Sequence, residues 1–372
     1  MKTIKKVRYS YLPQQFADID DLLIEIKNFV KTGDFTLGAP LTEFEEKFAK
    51  LMGSKFAIGV NSGTDAIKLG LKALGVGYGD EVITAANTFI ATIGAINEIG
   101  AKPVFIDCDD TFCMDVTQLE NAITKKTKAI VPVHFTGYMT NMEKLLPIAK
   151  KYNLPVVEDA CQGILASINK KKSGTWGDCG AFSLHPLKNL NVWSDGGIII
   201  TNNKILYDQL RLLRNHGMKN RDEISIMGYN SRLDTLQAVV GNWLIPQTED
   251  IANKRIENAK YYDDQLGRIK QITIPPRPNN MKIVYHLYIV FCKNRDKLLK
   301  YCIDQGIEAK IHYPIPLYLQ KGLSFLNYKE GDFPVTEKHT KNIITFPVDQ
   351  HLSQEELDYV IKTVVDFYEQ EI

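Results

Sequence analysis

Short apolar runs alternate with amphipathic segments through most of the first 245 residues of this chain. Runs such as 56–60, 81–84 and 103–107 are typical of strands, and each is followed by apolar residues at helical spacing. Parallel strands need long crossover connections, usually helices, whereas antiparallel strands can be joined by tight turns. The alternation therefore predicts an α/β fold with a mostly parallel sheet covered by helices on both faces.

The pattern changes after about residue 245. A long charged helical segment at 251–266 is followed by a Pro-rich turn, an alternating strand at 284–291 and two further helical segments. With 372 residues, the chain is long enough for about two domains. We therefore expect a large domain over residues 1–245 and a smaller α+β domain over residues 246–372. About the first 20 residues are expected to pack on the small domain.

Charge and cysteine usage argue against several classes of protein. Lys+Arg 45 and Asp+Glu 44 leave a net charge of +1, so no field would attract a nucleic acid. No apolar run approaches the roughly 20 residues of a membrane helix, and the first residues lack the apolar core of a signal peptide. The six cysteines form no C-x-x-C pair, so we expect reduced, mostly buried thiols and no metal site. The sequence predicts a cytoplasmic protein.

The segment Asn61-Ser62-Gly63-Thr64 lies at a strand-to-helix junction. Backbone N–H groups at a helix start, beside small residues, can cradle a phosphate. The segment has neither the lysine of a P-loop nor the spacing of G-x-G-x-x-G. An ordinary turn with a helix cap is the alternative.

Two further segments could carry chemistry. Asp159 ends an apolar strand, where it could contact a metal, a ribose or a ring nitrogen, or cap a following helix. Lys188 is either a surface lysine or a buried one with the lowered pKa that Schiff-base chemistry requires. Phe89 is by default a core residue and otherwise a stacking platform for a planar ring. The residues alone leave these alternatives open.

Seven motifs follow one another along the chain: Asn61-Ser62-Gly63-Thr64-Asp65-Ala66, Gly79-Asp80-Glu81-Val82-Ile83, Thr88-Phe89-Ile90-Ala91-Thr92, Glu158-Asp159-Ala160, His185-Pro186 with Lys188, Gly228-Tyr229-Asn230-Ser231-Arg232 and His312-Tyr313-Pro314. Each is weak alone. In this order and spacing they resemble the DegT/DnrJ/EryC1/StrS sugar aminotransferases, a family of fold-type I pyridoxal phosphate enzymes. The resemblance extends from about residue 35 to the C-terminal helix.

The resemblance implies a seven-stranded, mostly parallel sheet in the large domain and pyridoxal 5'-phosphate as cofactor. The family's cofactor-binding lysine falls on Lys188, and its partner for the pyridinium nitrogen falls on Asp159. Other implied cofactor contacts are Gly63, Thr64, Ser183 and Asn230 at the phosphate, Phe89 on the ring and Gln162 at the ring hydroxyl. Because the family's equivalent of Asn230 comes from the neighbouring subunit, a homodimer with shared active sites is implied. Candidates for the substrate pocket are Trp193, Arg232, His312 and Tyr313.

The activity implied is transfer of an amino group from L-glutamate to a keto-sugar, for amino-sugar or surface-glycan biosynthesis. The breadth of the family favours a nucleotide-linked 3- or 4-keto-6-deoxy sugar. The stretches around Lys188 and Arg232 instead look most like a branch acting on 3-oxo-glucose-6-phosphate or 8-oxo-octulosonate. A non-catalytic regulatory protein and a fold-type I lyase are further alternatives. A dehydratase is disfavoured because Lys188 stands where such relatives carry His, and no role is carried over to Tyr318, where many relatives have His.

Overall fold

The computed structural model describes residues 6–370. Its strands are β1 Phe56–Val60, β2 Glu81–Ala85, β3 Lys102–Ile106, β4 Thr127–Val131, β5 Val157–Asp159, β6 Ser167–Ile168, β7 Lys171–Lys172, β8 Cys179–Ser183, β9 Gly197–Thr201, β10 Ile272–Thr273, β11 Met281–Lys282, β12 Tyr288–Cys292 and β13 Ile343–Phe346. Its α-helices are α1 Leu12–Gln15, α2 Asp20–Thr32, α3 Ala39–Met52, α4 Gly63–Ala73, α5 Ile90–Glu98, α6 Leu119–Ala122, α7 Met142–Lys151, α8 Lys204–Leu213, α9 Thr235–Leu244, α10 Thr248–Leu266, α11 Arg295–Asp304, α12 Pro334–Asn342 and α13 Gln354–Gln370.

Seven strands form the main sheet in the order β1-β9-β8-β5-β4-β2-β3. Parallel bridges from Ile130 to Val156 and from Val133 to Asp159 join the β1-β9-β8-β5 group to the β3-β2-β4 group. β9 is antiparallel to both of its neighbours, and the other adjacent strands pair in parallel. The predicted α/β fold with a mostly parallel sheet is confirmed.

The sheet is covered on both faces, which explains its apolar strands. Every residue of β8 and β9 is buried, as expected for strands with helices above and below. Helix α4 packs closely on β8: a Cβ at Gly70 would lie 3.0 Å from the Cys179 Sγ. This packing places the N-terminus of α4 beside the carboxyl end of β8. In open α/β sheets, ligands bind at that edge.

The later part of the chain forms a second, antiparallel sheet in the order β10-β12-β13. The segment from Val7 to Tyr11 lies against this part: Val7 pairs with Ile307, and the Tyr11 hydroxyl donates to Glu356. Residues 1–5 of the N-terminal segment lie outside the described residues. One buried apolar cluster runs from Val7 to Tyr368 across residue 245. The division into domains at that residue stays a prediction.

The start of α3 differs from the sequence pattern. Thr42 with Glu45 has the spacing of a capping box, but the helix begins at Ala39, and Gly38 occupies the N-cap position. Glu45 is buried, and its carboxylate accepts the Gly59 N–H at 2.7 Å and pairs with Arg214. Glu45 therefore serves as the buried partner of Arg214 instead of capping the helix, because an unpaired buried charge would be costly.

No helix between residues 6 and 370 is both long and apolar enough to cross a membrane.

Candidate active site

A cavity of about 340 Å³ opens at the carboxyl ends of β5 and β8, beside the N-terminus of α4. It brings together residues from distant parts of the chain. Nine of the twelve predicted site residues line it: Gly63, Thr64, Phe89, Asp159, Gln162, Ser183, Lys188, His312 and Tyr313.

One end of the cavity is built to receive an anion. The Ser62 hydroxyl caps α4 by accepting the Asp65 N–H at 3.1 Å. The N–H groups of Gly63 and Thr64 are left at the open end of the helix, where no intrahelical acceptor exists. A Cβ at Gly63 would lie 2.8 Å from the Ser183 Cβ, so this close approach requires glycine. The free N–H groups and the nearby Ser183 hydroxyl suit a phosphate.

Asp159 places a buried carboxylate in the cavity wall. Its Oδ2 accepts from the Thr92 hydroxyl at 2.7 Å, and its Oδ1 accepts the Cys161 N–H at 3.2 Å. The Thr92 hydroxyl lies 2.7 Å from that of Thr88, so the carboxylate is held from two sides. The residues after Asp159 form turns rather than a helix, so its interpretation as a helix cap is wrong. A carboxylate held this way suits a protonated ring nitrogen.

Gln162 and Phe89 supply a polar and an apolar contact to the same cavity. The Gln162 Oε1 accepts the Thr136 N–H at 2.7 Å, which leaves its amide NH₂ as the available donor. Phe89 is 50% exposed and lies 6.0 Å from Tyr313 between ring centroids. The default interpretation of Phe89 as a core residue is wrong, and its ring is open to a planar ligand.

Lys188 lies in the turn after β8 with its backbone fixed. Its N–H donates to the His185 carbonyl at 2.8 Å, and its carbonyl accepts from Asn191 Nδ2 at 3.0 Å. Burial lowers the pKa of Lys188, while Cys161 and Asp159 act in the opposite direction. A lysine in a cavity with a lowered pKa presents more of the neutral, nucleophilic amine. The alternative of a surface lysine is thus wrong.

His312 lines the cavity in its neutral form. Its Nδ1 lies 2.9 Å from the Thr345 hydroxyl. Burial, and then the positive charges of Lys310 and Lys188, lower the pKa of His312 to about 4. His312 therefore contributes a hydrogen-bonding ring and no charge near neutral pH.

Three predicted residues lie outside the wall of this cavity. Asn230 is exposed, on a segment docked to α4 by the 2.6 Å bond from the Ser231 hydroxyl to Asp65. The Arg232 Nη1 donates to Asn215 at 3.1 Å. Trp193 is 38% exposed. Their assignments to the cofactor and substrate stay predictions.

Sequence reasoning missed several residues of the cavity wall, among them Tyr9, His286 and Lys310. Thr92, which lies outside the cavity wall but bonds Asp159, could have been found, because it follows Thr88 at the four-residue spacing of a helix. Tyr9 and Lys310 gave no such signal, since they meet only through the pairing of the N-terminal segment with residues near 307.

Comparisons with known proteins show the family to which this chain belongs. A model of the DegT/DnrJ/EryC1/StrS aminotransferase family matches residues 18–365. The "dTDP-3-amino-3,6-dideoxy-alpha-D-galactopyranose transaminase" of Aneurinibacillus thermoaerophilus is 39% identical, over 90% of this chain and 92% of that protein. The "Pleiotropic regulatory protein" of Geobacillus stearothermophilus is 38% identical, over 96% of this chain and 97% of that protein.

Solved structures superpose over the whole fold. The Streptomyces venezuelae protein DesV, in complex with a ketimine intermediate, matches with a TM-score of 0.95 and 32% identity, over 97% of this chain and 98% of that one. NtdA of Bacillus subtilis, with bound PMP, matches with a TM-score of 0.91 and 31% identity, over 98% of this chain and 85% of that one. Fold and site together define a pyridoxal phosphate-dependent sugar aminotransferase. The chain belongs to the DegT/DnrJ/EryC1/StrS aminotransferase family.

Proposed function

We propose that this enzyme moves an amino group from L-glutamate to a nucleotide-linked keto-sugar in two half-reactions at the cavity beside α4. The single observation that carries the proposal is that Lys188, with its lowered pKa, lines one cavity with the buried carboxylate of Asp159. We expect a cytoplasmic location and a product used for amino-sugar or surface-glycan biosynthesis.

The residues present fit pyridoxal phosphate. The phosphate would be held by the N–H groups of Gly63 and Thr64 and by Ser183, the ring nitrogen by Asp159, and the ring hydroxyl by the Gln162 amide. When bound, the cofactor supplies an electron sink for the carbon that loses its proton. A Cβ at Gly63 would also lie 2.9 Å from the Cys161 Sγ. Only glycine therefore fits at this position of the phosphate cradle.

The chain's own residues then perform three tasks. Asp159 would face the ring nitrogen with a fixed carboxylate and so favour its protonated form. Lys188 would hold the cofactor, and its Nζ, when free, would accept a proton at one carbon and return it at another. Phe89 would offer its exposed ring as a stacking surface for the cofactor ring. Both substrates use the same cavity in turn, so ping-pong kinetics are expected.

The nucleotide-linked substrate is supported by the relatives' names. The Aneurinibacillus enzyme is named for a dTDP-linked 3-amino sugar, and a 37% identical relative is named a UDP-N-acetyl-3-dehydro-alpha-D-glucosamine aminotransferase. A 3-keto sugar is therefore preferred over a 4-keto sugar. A free 3-oxo-glucose-6-phosphate or 8-oxo-octulosonate is the alternative acceptor.

A homodimer with shared active sites is part of the proposal. Asn230 is exposed and outside the cavity of its own chain, where a residue serving a partner's cofactor would lie. Apolar side chains beside the cavity mouth, such as Ile90 at 44% and Ile315 at 48% exposed, are the kind of surface that a second subunit covers.

A regulatory role is the second candidate, because the Geobacillus relative is named a regulatory protein. The test is the absorbance spectrum of the purified holoenzyme before and after addition of L-glutamate. Loss of the yellow band of the lysine-bound cofactor is expected. D-glutamate is the matched control and should leave the spectrum unchanged. A protein that binds cofactor but shows no change with L-glutamate or any other amino donor would support the regulatory role instead.

A further inference from the structure

The rim of the cavity carries an unpaired positive charge. Lys310 lines the cavity with an exposed side chain, and its Nζ lies 4.0 Å from the centroid of the Tyr9 ring. Within residues 6–370, no carboxylate lies within 4 Å of this ammonium. The nearest acid in sequence, Glu308, is paired with Lys6 at 2.7 Å and accepts the Tyr9 N–H at 2.9 Å.

Two backbone pairings hold this rim in place. Glu308 N–H donates to the Val7 carbonyl at 2.9 Å, which fixes the N-terminal segment beside residues 306–310. Lys310 exchanges hydrogen bonds with Thr345 at 3.0 and 2.8 Å. His312, two residues after Lys310, also lines the cavity, and its Nδ1 lies 2.9 Å from the hydroxyl of the same Thr345. Tyr9, Lys310 and His312 are thereby brought together, with the Tyr9 and His312 ring centroids 5.8 Å apart.

The rim offers donors and positive charge. The Tyr9 hydroxyl makes no hydrogen bond within the described part of the chain, and burial raises the Tyr9 pKa, so the phenol remains a donor. The two carboxylates of the cavity wall are Asp159, already bonded to Thr92, and Asp195 on the loop after Lys188. Once Lys188 is bonded to the cofactor, Lys310 is the remaining ammonium of the wall.

We propose that Lys310, with the Tyr9 hydroxyl, binds the phosphate oxygens of the activating group on the acceptor sugar. An exposed ammonium and a buried phenol donor on one cavity wall match an anion that stays near the mouth while the ketone reaches the cofactor. This inference rests on the proposed function and adds to it the part of the substrate that is recognised and the residues that recognise it. Both a nucleoside diphosphate sugar and a sugar phosphate carry such phosphate oxygens.

The test uses the full-length holoenzyme and four probes: UDP, dTDP, glucose 6-phosphate and inorganic pyrophosphate. Binding of each probe is measured by calorimetry on wild type, Lys310→Met and Tyr9→Phe. Methionine keeps a side chain on the Tyr9 ring but removes the charge, and phenylalanine keeps the ring but removes the hydroxyl. Lys300→Met, which removes an exposed lysine elsewhere on the surface, is the matched control. Salt dependence is measured in parallel.

For any probe that wild type binds, Lys310→Met is expected to lower the affinity by about tenfold or more. The affinity of this variant should also depend less on salt. Tyr9→Phe should give a smaller loss, and Lys300→Met none. Tighter wild-type binding of UDP or dTDP than of glucose 6-phosphate identifies a nucleotide-linked acceptor, and the reverse order identifies a sugar phosphate. Equal binding by wild type and Lys310→Met, or no binding of any probe to wild type, would overturn the inference.

The half-reaction with L-glutamate separates this inference from the proposed function. Lys310→Met should slow this half-reaction, followed by single-turnover absorbance, by clearly less than it weakens binding of the probes, because glutamate lacks the phosphate. If Lys310→Met slows this half-reaction as much as it weakens the probes, Lys310 serves the amino donor and the inference is wrong. If wild type does not react with any amino donor, the proposed function fails while the calorimetry still decides the anion site.

Discussion

At the scale of single residues, the proposed covalent attachment of the cofactor depends on the charge state of Lys188. Burial lowers its pKa below the ordinary value of 10.5. The rate at which apoprotein takes up pyridoxal phosphate should therefore rise with pH and then reach a plateau, since only the neutral amine reacts. The midpoint of this rise should lie below pH 10.5. Stopped-flow absorbance across the pH range measures this midpoint. A midpoint at or above the ordinary lysine value would contradict the assignment.

Lys188→Ala removes the only group proposed to move the proton. We expect the mutant to bind cofactor without the lysine-linked yellow band and to lose on the order of 10³-fold in kcat. Lys204→Ala, at an exposed position on α8, is the control and should keep both the band and the rate.

Asp159→Asn keeps the shape of the side chain and the bond from Thr92 but removes the charge that we propose faces the ring nitrogen. We predict a loss of roughly 10²-fold in the rate of the glutamate half-reaction, measured by single-turnover absorbance. Asp195→Asn removes the other carboxylate of the same wall and should cause a clearly smaller loss. Equal losses in the two variants would mean that general charge, rather than contact with the ring, explains the effect.

At the scale of elements, Glu158 ties the end of β5 to the loop before β8. Its fully buried carboxylate accepts from the N–H groups of Gly174, Trp176 and Gly177 at 2.6 to 2.8 Å and lies 2.8 Å from His134 Nε2. Glu158→Ala leaves these groups buried and unpaired, so we expect a loss of about 3–5 kcal/mol in the free energy of unfolding.

The measurement is the Tm by calorimetry, with Glu120→Ala as control. Glu120 pairs with Lys151 on the surface, where water screens the attraction between the two charges. A drop of roughly 5 °C or more is expected for Glu158→Ala, and a much smaller one for the control. Equal Tm values for the two variants would show that the hydrogen bonds of Glu158 do not stabilise the fold.

Elements near the catalytic residues could be predicted better than the rim of the site. β1, β2 and β3 were readable from the short apolar runs at 56–60, 81–84 and 103–107, whereas the roles expected for Asp159 and Lys188 came from the resemblance of the ordered motifs to a known family. Helix α3 begins three residues before its capping signal because Glu45 has a buried ion-pair partner 169 positions away in sequence. Tyr9 and Lys310 meet through long-range backbone pairing, which no local pattern encodes.

At the scale of the whole molecule, the shared active site can be tested by mixing two inactive variants. One is Lys188→Ala, and the other is Asn230→Asp, which in the proposed dimer would place a negative charge against the phosphate. If each site combines Lys188 of one subunit with Asn230 of its partner, one of the two sites in each heterodimer contains both wild-type residues. Co-refolded or co-expressed mixtures should then regain about a quarter of wild-type activity. Recovery no greater than that of either variant alone would place both residues in one chain's site.

The measurement that tests the central claim most directly is reduction of the holoenzyme with borohydride, followed by digestion and mass spectrometry. Reduction makes the bond between cofactor and lysine permanent, so the modified residue can be read from the peptide masses. The structure predicts that the cofactor mass is found on the peptide that contains Lys188 and is lost in Lys188→Ala. Cofactor bound to another lysine, or a holoenzyme with no covalent bond to reduce, would contradict the role assigned to this cavity.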